Sequence, residues 1–167
     1  LMLVGNRLDG EGVAELAAGL EDGALPVLES LNVSSNRFGA RGVGALCGVF
    51  HGGVAPTLQM LDVALAPIGD EGAVALAAAL ATGKPSHGLA LDFWCDVGDE
   101  GAMALAAALP AAGQGCRVNA FFNRIGLAGQ AALLDALEAK HGPQPGHASA
   151  VNQMSLLPTG RPRAAAF

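Results

Sequence analysis

The 167-residue sequence predicts an α/β fold in which about five short repeats stack side by side. One glycine recurs at intervals of 30, 30, 29 and 28 residues, as Gly12, Gly42, Gly72, Gly101 and Gly129. A short segment upstream of each glycine alternates apolar and variable residues, and large apolar residues follow each glycine by four and eight positions. Features that stay in phase along most of a chain indicate a solenoid, because each unit buries its apolar face only against its neighbours.

The first element of each repeat is predicted to be a β-strand. The five alternating segments start at Leu1, Leu31, Leu61, Leu91 and Val118. Their period of two is typical of a strand that is buried on one face.

The second element is predicted to be a helix that begins near the recurrent glycine. Leu76 and Leu80, with alanines around them, lie four residues apart and therefore share one helical face. A strand, a helix and a return loop within one repeat require parallel strands, since each return crosses over. We expect a repeat domain over residues 1–141, with repeats near 1–30, 31–60, 61–90, 91–117 and 118–141.

Both ends of the array are predicted from local composition. Leu1 opens directly on a strand, so we expect further repeats to precede it. Lys140, His141 and Gly142 are typical of a helix end. Residues 142–167 are rich in Pro, Gly and Ala and lack periodicity, which favours a disordered tail. In the alternative interpretation, residues 154–157 fold back as a partial cap.

The composition argues against nucleic-acid and membrane partners and favours a reducing location. The net charge of −6 argues against nucleic acid, whose phosphates require clustered Lys and Arg. The chain is 51% hydrophobic, but no apolar run approaches the roughly 20 residues of a spanning helix, so we expect no membrane partner. Cys47, Cys95 and Cys116 form no metal-binding spacing and favour a reducing, cytoplasmic location.

Two nearly identical stretches, GDEGAVALAAAL at 69–80 and GDEGAMALAAAL at 98–109, each place an Asp-Glu pair before an apolar run. Such carboxylates could be catalytic acids or metal ligands, or they could stabilise a helix start. The other repeats do not keep the pair, because they hold Gly10-Glu11, Ala40-Arg41 and Leu127-Ala128. We therefore predict that Asp70 and Asp99 cap helices, and that the chain has no catalytic residue, metal or cofactor.

The repeat pattern resembles the leucine-rich repeat, and its length resembles the ribonuclease-inhibitor-like class. LMLVGNRL at residues 1–8, followed by Gly12, Leu16 and Leu20, matches that motif closely. The resemblance implies a right-handed α/β horseshoe, with strands on the concave face and helices on the convex face. It also implies an inter-repeat asparagine ladder at Asn6, Asn36 and Asn123, from which repeats three and four depart at Ala66 and Asp96.

The same resemblance implies that partners bind the outward strand positions. The predicted partner-binding residues are Asn32, Ser34, Asp62, Asp92, Trp94, Asn119, Phe121 and Phe122. Trp94 and Phe121 should be near neighbours on adjacent strands, and large aromatics are common anchors of interfaces. Asp62 and Asp92 favour a basic partner. In the alternative interpretation, the tail or a further repeat covers the aromatic residues.

The sequence thus favours a non-catalytic scaffold, a segment of a larger protein that binds a protein partner on its concave face. The alternative is a regulator, since the same repeat class builds activators of the small GTPase Ran and sensor regions of nucleotide-binding immune receptors. Arg7, Arg37 and Arg124 are candidate activator residues. Their recurrence in three repeats argues against that role, because a catalytic arginine should be singular.

Overall fold

The computed structural model describes residues 1–22, 27–51, 57–82, 88–90, 95–112, 118–119 and 123–142. Along these ranges helices and strands alternate, as expected for an α/β repeat fold. The helices are α1 (Gly10–Glu21), α2 (Gly39–His51), α3 (Gly69–Leu80), α4 (Asp99–Ala108) and α5 (Leu127–His141). The strands are β1 (Ser30–Asn32), β2 (Met60–Asp62), β3 (Gly88–Ala90) and β4 (Val118–Asn119).

The four strands form one parallel sheet in the order β1-β2-β3-β4. Leu31 pairs in register with Leu61, which in turn pairs with Leu89. The first residues of the chain extend this arrangement, because Met2 forms a parallel bridge with Asn32. The backbone N–H of Leu3 donates to the carbonyl of Asn32 at 2.8 Å. Residues 1–3 therefore run beside β1 as a further extended segment, and a turn follows at Val4 and Gly5.

The predicted start of the fourth strand at Leu91 is wrong. The structure places β3 at Gly88–Ala90 and pairs Leu89, not Leu91, with Leu61. Ala90 precedes Gly101 by 11 residues, whereas Asp62 precedes Gly72 by 10, so the segment between strand and helix is one residue longer in this repeat. The error has a simple cause: Leu89 and Leu91 are both apolar, and a period of two cannot distinguish two registers that differ by two residues.

The core lies between the sheet and the row of helices, and each helix packs on the helices before and after it. Most leucines predicted to face inward are buried, among them Leu46, Leu76, Leu80, Leu105 and Leu109, whereas Leu16 and Leu137 in the first and last helices are partly buried. Small residues let neighbouring helices approach closely, as shown by Ala73 and Ala102, which are both inaccessible to solvent. The outer helix face is exposed, with Val74 at 43% and Met103 at 46%.

The last described helix ends as its sequence predicts. Gly142 follows α5 with a φ of 75°, and its N–H donates to the carbonyl of Glu138 at 2.8 Å. Positive φ suits glycine, which has no Cβ to clash with the backbone. Lys140 in the same turn acts on the neighbouring helix, since its Nζ donates to the carbonyls of Leu109 and Ala112 near the end of α4. In the described part of the chain, no helix has the length and apolar character needed to cross a membrane.

Candidate functional site

One face of the parallel sheet is not covered by the helices. Leu31 of β1 and Leu61 of β2 point into the core and are fully buried. Because side chains alternate along a strand, the residues on either side of these leucines face the other way. Met60 on this open face is 49% exposed, and Met2, which is registered beside Asn32, is 68% exposed. The open sheet face therefore presents apolar side chains to solvent.

Polar side chains on the same face are held by hydrogen bonds within and between strands. Asn32 donates from its Nδ2 to Oδ2 of Asp62 at 2.8 Å. The Oδ1 of Asn32 accepts from the backbone N–H of Ser34, and the Oδ1 of Asp62 accepts from that of Ala64. Both polar atoms of each side chain are therefore held by hydrogen bonds. These side chains are already ordered in the folded protein, so a partner that binds them pays little further conformational entropy.

The predicted partner-binding residues fall into three groups. Asn32 and Asp62 lie side by side on the open face, and Asn119 pairs in register with Ala90 at the far end of the same row. Ser34 does not fit the prediction, because it is only 7% exposed and its Oγ donates to Oδ1 of Asn32 at 2.7 Å. The remaining four lie outside the described residues: Asp92, Trp94, Phe121 and Phe122.

The corrected register changes one of the expected neighbours. The predicted phase placed Asp92 beside Asp62, whereas the structure pairs Asp62 with Ala90. Met60 was not among the predicted partner-binding residues. It lies one residue before the buried Leu61, so the alternation that puts Asp62 on the open face puts Met60 there too. The prediction missed Met60 because it counted outward positions only after the first leucine of each strand.

The asparagine ladder is built most completely at Asn36. This residue is 1% exposed, its Oδ1 accepts from the N–H of Leu8, and its Nδ2 donates to the carbonyls of Leu3, Val33 and Ser34. Asn36 thereby ties the first repeat to the second, as the resemblance implied. All four partners are backbone groups, so the asparagine satisfies main-chain donors and acceptors at the point where the strands end.

The ladder continues in a different form in later repeats. Asn123 is buried, and its Oδ1 accepts from the N–H of Val97 in the preceding repeat. The residue at the equivalent position of that repeat is Cys95, not Asp96 as predicted, because Cys95 is fully buried and its Sγ lies 3.4 Å from the carbonyl of Val63. Asn6 is exposed and contacts the carbonyl of Val4 at 3.4 Å.

Asp70 and Asp99 of the two Asp-Glu pairs stabilise helix starts, but not the starts of the helices on which they lie. Asp70 lies in the first turn of α3, yet its Oδ1 accepts from the N–H groups of Gly98 and Gly101, at 2.7 and 2.9 Å, where α4 begins. Asp99 has the same role one repeat later. Its Oδ1 accepts from the N–H groups of Gly126 and Gly129, at 2.7 and 3.0 Å, where α5 begins. Each acid caps the helix of the following repeat, so the prediction of the host helix is wrong while the capping chemistry stands.

Burial makes the thiol of Cys47 a poor nucleophile. Cys47 is 4% exposed, and burial raises the pKa of its thiol from 9.0 to about 12. A thiol with such a pKa carries almost no thiolate near neutral pH. In the described ranges, no three His, Cys, Asp or Glu side chains cluster closely enough to hold a metal ion.

The candidate activator arginines occupy unequal environments. Arg124 lies 3.3 Å from the carboxylate of Asp96, and both side chains are exposed. Arg7 and Arg37 are also exposed, on the first two repeats. The regulatory alternative stays a prediction, since no contact of these side chains identifies a GTPase surface.

Comparison with protein families supports the repeat type that the sequence pattern resembles. Three segments, residues 24–47, 54–77 and 93–106, match the family model described as Leucine Rich repeat. These three segments are similar to leucine-rich repeats and support a leucine-rich repeat protein; the ribonuclease-inhibitor-like class stays a prediction. No curated protein matches the chain.

Proposed function

We propose, on the premise that this chain carries leucine-rich repeats, that it is a non-catalytic scaffold that binds a protein partner on the open sheet face. Leucine-rich repeats are generally interaction modules, and parallel strands joined by helices leave one sheet face free for a partner. In this proposal the repeats form a ribonuclease-inhibitor-like horseshoe, the open face is concave, and the segment belongs to a larger cytoplasmic protein.

The observation that carries the proposal is the combination of exposed methionines with an ordered polar pair. Met2 and Met60 are 68% and 49% exposed and lie on the same face as the hydrogen-bonded Asn32 and Asp62. Methionine is enriched at interfaces, because its flexible, polarisable side chain adapts to a partner's shape. Fixed polar groups beside such side chains select orientation at little entropic cost.

Charge supports a basic partner. Asp62 on the open face and the exposed Glu29 just before β1 are both acidic, and the chain as a whole carries −6. Complementary charge of this kind accelerates encounter and raises specificity more than it raises affinity. Trp94, Phe121 and Phe122 belong to the proposal as aromatic anchors on the sequence argument alone.

The test compares one substitution on two faces. The immobilised full chain would capture proteins from a cell extract, and capture of the partner would be compared between the variants Met60→Lys and Met103→Lys. Met60 and Met103 are exposed to similar extents, 49% and 46%, but Met103 lies on the outer face of α4. We expect Met60→Lys to abolish capture, because it removes an apolar contact and repels a basic partner, and Met103→Lys to preserve it; equal capture by both variants would reject the sheet face as the binding surface.

A second variant tests the aromatic anchor. If Trp94 is a hot spot, Trp94→Ala should weaken the partner by about 2 kcal/mol or more. Circular dichroism spectra and urea midpoints of the variant should match those of the wild type. Unchanged affinity would remove Trp94 from the site without affecting the methionine test.

A further inference from the structure

A second polar surface lies where the strand segments of the first two repeats lead into their helices. Arg7, Asp9, Ser35 and Arg37 line an open groove of about 570 Å³. The two repeats are held together here by backbone contacts, since the N–H of Arg37 donates to the carbonyl of Leu8 at 2.9 Å and Asp9 forms a parallel bridge with Arg37. The groove is therefore built on fixed backbone, although its lining side chains are exposed.

The two arginines differ from the third arginine at the same repeat position. Arg7, Arg37 and Arg124 all precede the recurrent glycine of their repeats by five residues, where the middle repeats hold Pro67 and Asp96. Arg124 is paired with Asp96 at 3.3 Å. Within the described ranges, the side chains of Arg7 and Arg37 form no ion pair and donate no hydrogen bond. The guanidinium of Arg124 thus has an ion-pair partner within the protein, whereas in the described ranges those of Arg7 and Arg37 have none.

Asp9, the acid among the described residues that line the groove, does not neutralise the two arginines. Asp9 is the N-cap of α1, and its Oδ1 accepts from the N–H of Gly12 at 2.9 Å. Its charge is directed at the positive end of that helix, where an anion is stabilised. With two guanidinium groups, one engaged carboxylate and the hydroxyl of Ser35, the groove carries a net positive charge in an acidic chain.

We propose that this groove binds the oxyanion side chains of an acidic peptide segment. A guanidinium presents its N–H donors as a planar fork that matches both oxygens of a carboxylate or of a phosphoryl group. Adjacent repeats of a parallel sheet lie about 4.8 Å apart, so Arg7 and Arg37 can hold one such group from two sides. This site is separate from the open sheet face and does not depend on the proposal made for that face.

The experiment titrates the full chain with short synthetic peptides and follows binding by isothermal calorimetry and by NMR. The probes are an oligoglutamate, an oligopeptide containing phosphoserine, and an oligolysine of equal length. The variants are the double substitution Arg7→Ala with Arg37→Ala, and the matched control Arg124→Ala. Because all three arginines are exposed, the urea midpoints of these variants should stay close to that of the wild type.

We expect an acidic peptide to bind at the groove and the oligolysine not to bind there. The affinity for the acidic peptide should fall roughly tenfold or more in the double variant, because the charge-assisted hydrogen bonds of both guanidinium groups are lost. Arg124→Ala should retain wild-type affinity. Binding should also weaken as the salt is raised from about 0.1 to about 1 M, where the Debye length falls from about 10 to about 3 Å. A preference between the glutamate and phosphoserine probes assigns the oxyanion. Absence of binding by both acidic peptides, or equal loss in Arg124→Ala, overturns the proposal.

Discussion

The carboxylate of Asp70 in α3 caps α4, the helix of the next repeat, and not the helix on which it lies. Its Oδ1 accepts from the N–H groups of Gly98 and Gly101 at 2.7 and 2.9 Å. Asp99 repeats the arrangement toward α5. A capping hydrogen bond that usually stabilises one helix here also joins two repeats, so helix formation and repeat stacking depend on the same side chain.

Replacing Asp70 by alanine should therefore destabilise the array. We expect Asp70→Ala to lower the free energy of unfolding by about 1 to 2 kcal/mol, because two helix-start N–H groups lose their acceptor. Asp99→Ala should cost about the same. Urea denaturation followed by circular dichroism measures both, and the open sheet face should bind its partner unchanged.

The adjacent glutamate provides the control for this prediction. Glu71 is exposed in the first turn of α3 and, within the described ranges, makes no side-chain hydrogen bond. Glu71→Ala should therefore change stability by no more than about 0.5 kcal/mol. If Asp70→Ala and Glu71→Ala had equal effects, helix-dipole charge and not the inter-repeat cap would explain both.

The recurrent glycine makes room for this contact. A Cβ on Gly101 would lie 2.7 Å from both Cβ of Ala73 and Oδ1 of Asp70. We expect Gly101→Ala to destabilise the fold by about 1 to 3 kcal/mol, since these backbone-proximal groups have little freedom to move. Thermal unfolding is the measurement.

Gly44 is the matched glycine, because it also lies within a helix but a Cβ there would meet no atom within 4 Å. Gly44→Ala should raise stability by about 0.5 to 1 kcal/mol through the higher helix propensity of alanine. We therefore expect the changes in stability to have opposite signs in Gly101→Ala and Gly44→Ala. If both variants were destabilised, the loss in Gly101→Ala could not be assigned to the inter-repeat contact.

The asparagine ladder predicts a large difference between two asparagines at the same repeat position. Asn36→Ala would leave the part-buried N–H of Leu8 and the carbonyls of Leu3 and Val33 without the asparagine as partner, at a cost of about 3 kcal/mol. Asn6→Ala removes a single long hydrogen bond from an exposed side chain and should cost no more than about 0.5 kcal/mol. Chemical denaturation of the pair checks this, and similar losses would contradict the ladder.

The raised pKa of Cys47 predicts both its reactivity and a pH dependence. Because burial raises the pKa from 9.0 to about 12, the native thiol should resist iodoacetamide at about pH 8 and react after unfolding, as peptide mapping by mass spectrometry would show. The folded state keeps the proton to higher pH than the unfolded state. This contribution to stability is therefore complete below pH 9.0 and is lost as the pH rises toward about 12.

Cys47→Ala should show a shallower loss of stability over that interval, because alanine does not titrate. The small cavity that the substitution leaves lowers the stability by the same amount at every pH, whereas titration of the thiol changes the slope of stability against pH. Comparing the slopes of the two proteins therefore separates the two effects. Parallel slopes for the two proteins would show that the thiol does not titrate differently in the two states.

Several features of the site could be predicted because they depend on local periodicity. The pairing of Asn32 with Asp62 follows from two repeats of equal length, in which identical phases bring equivalent positions together. The position of Ser34 did not follow, since alternation places it outward whereas its hydroxyl turns back to Asn32 and leaves it 7% exposed. The chain bends at Ser35, three residues after β1 ends, and no pattern of apolar residues marks that point.

The sequence alone determined the repeat, its strand-helix order and the buried leucine stripes, because apolar periodicity directly reflects which side of an element meets the core. Tertiary structure alone decided the strand register at Leu89 and the helix that Asp70 caps. Both depend on how far one repeat is displaced against the next. That displacement is set by packing between residues about 30 positions apart, and a pattern within one repeat does not contain it.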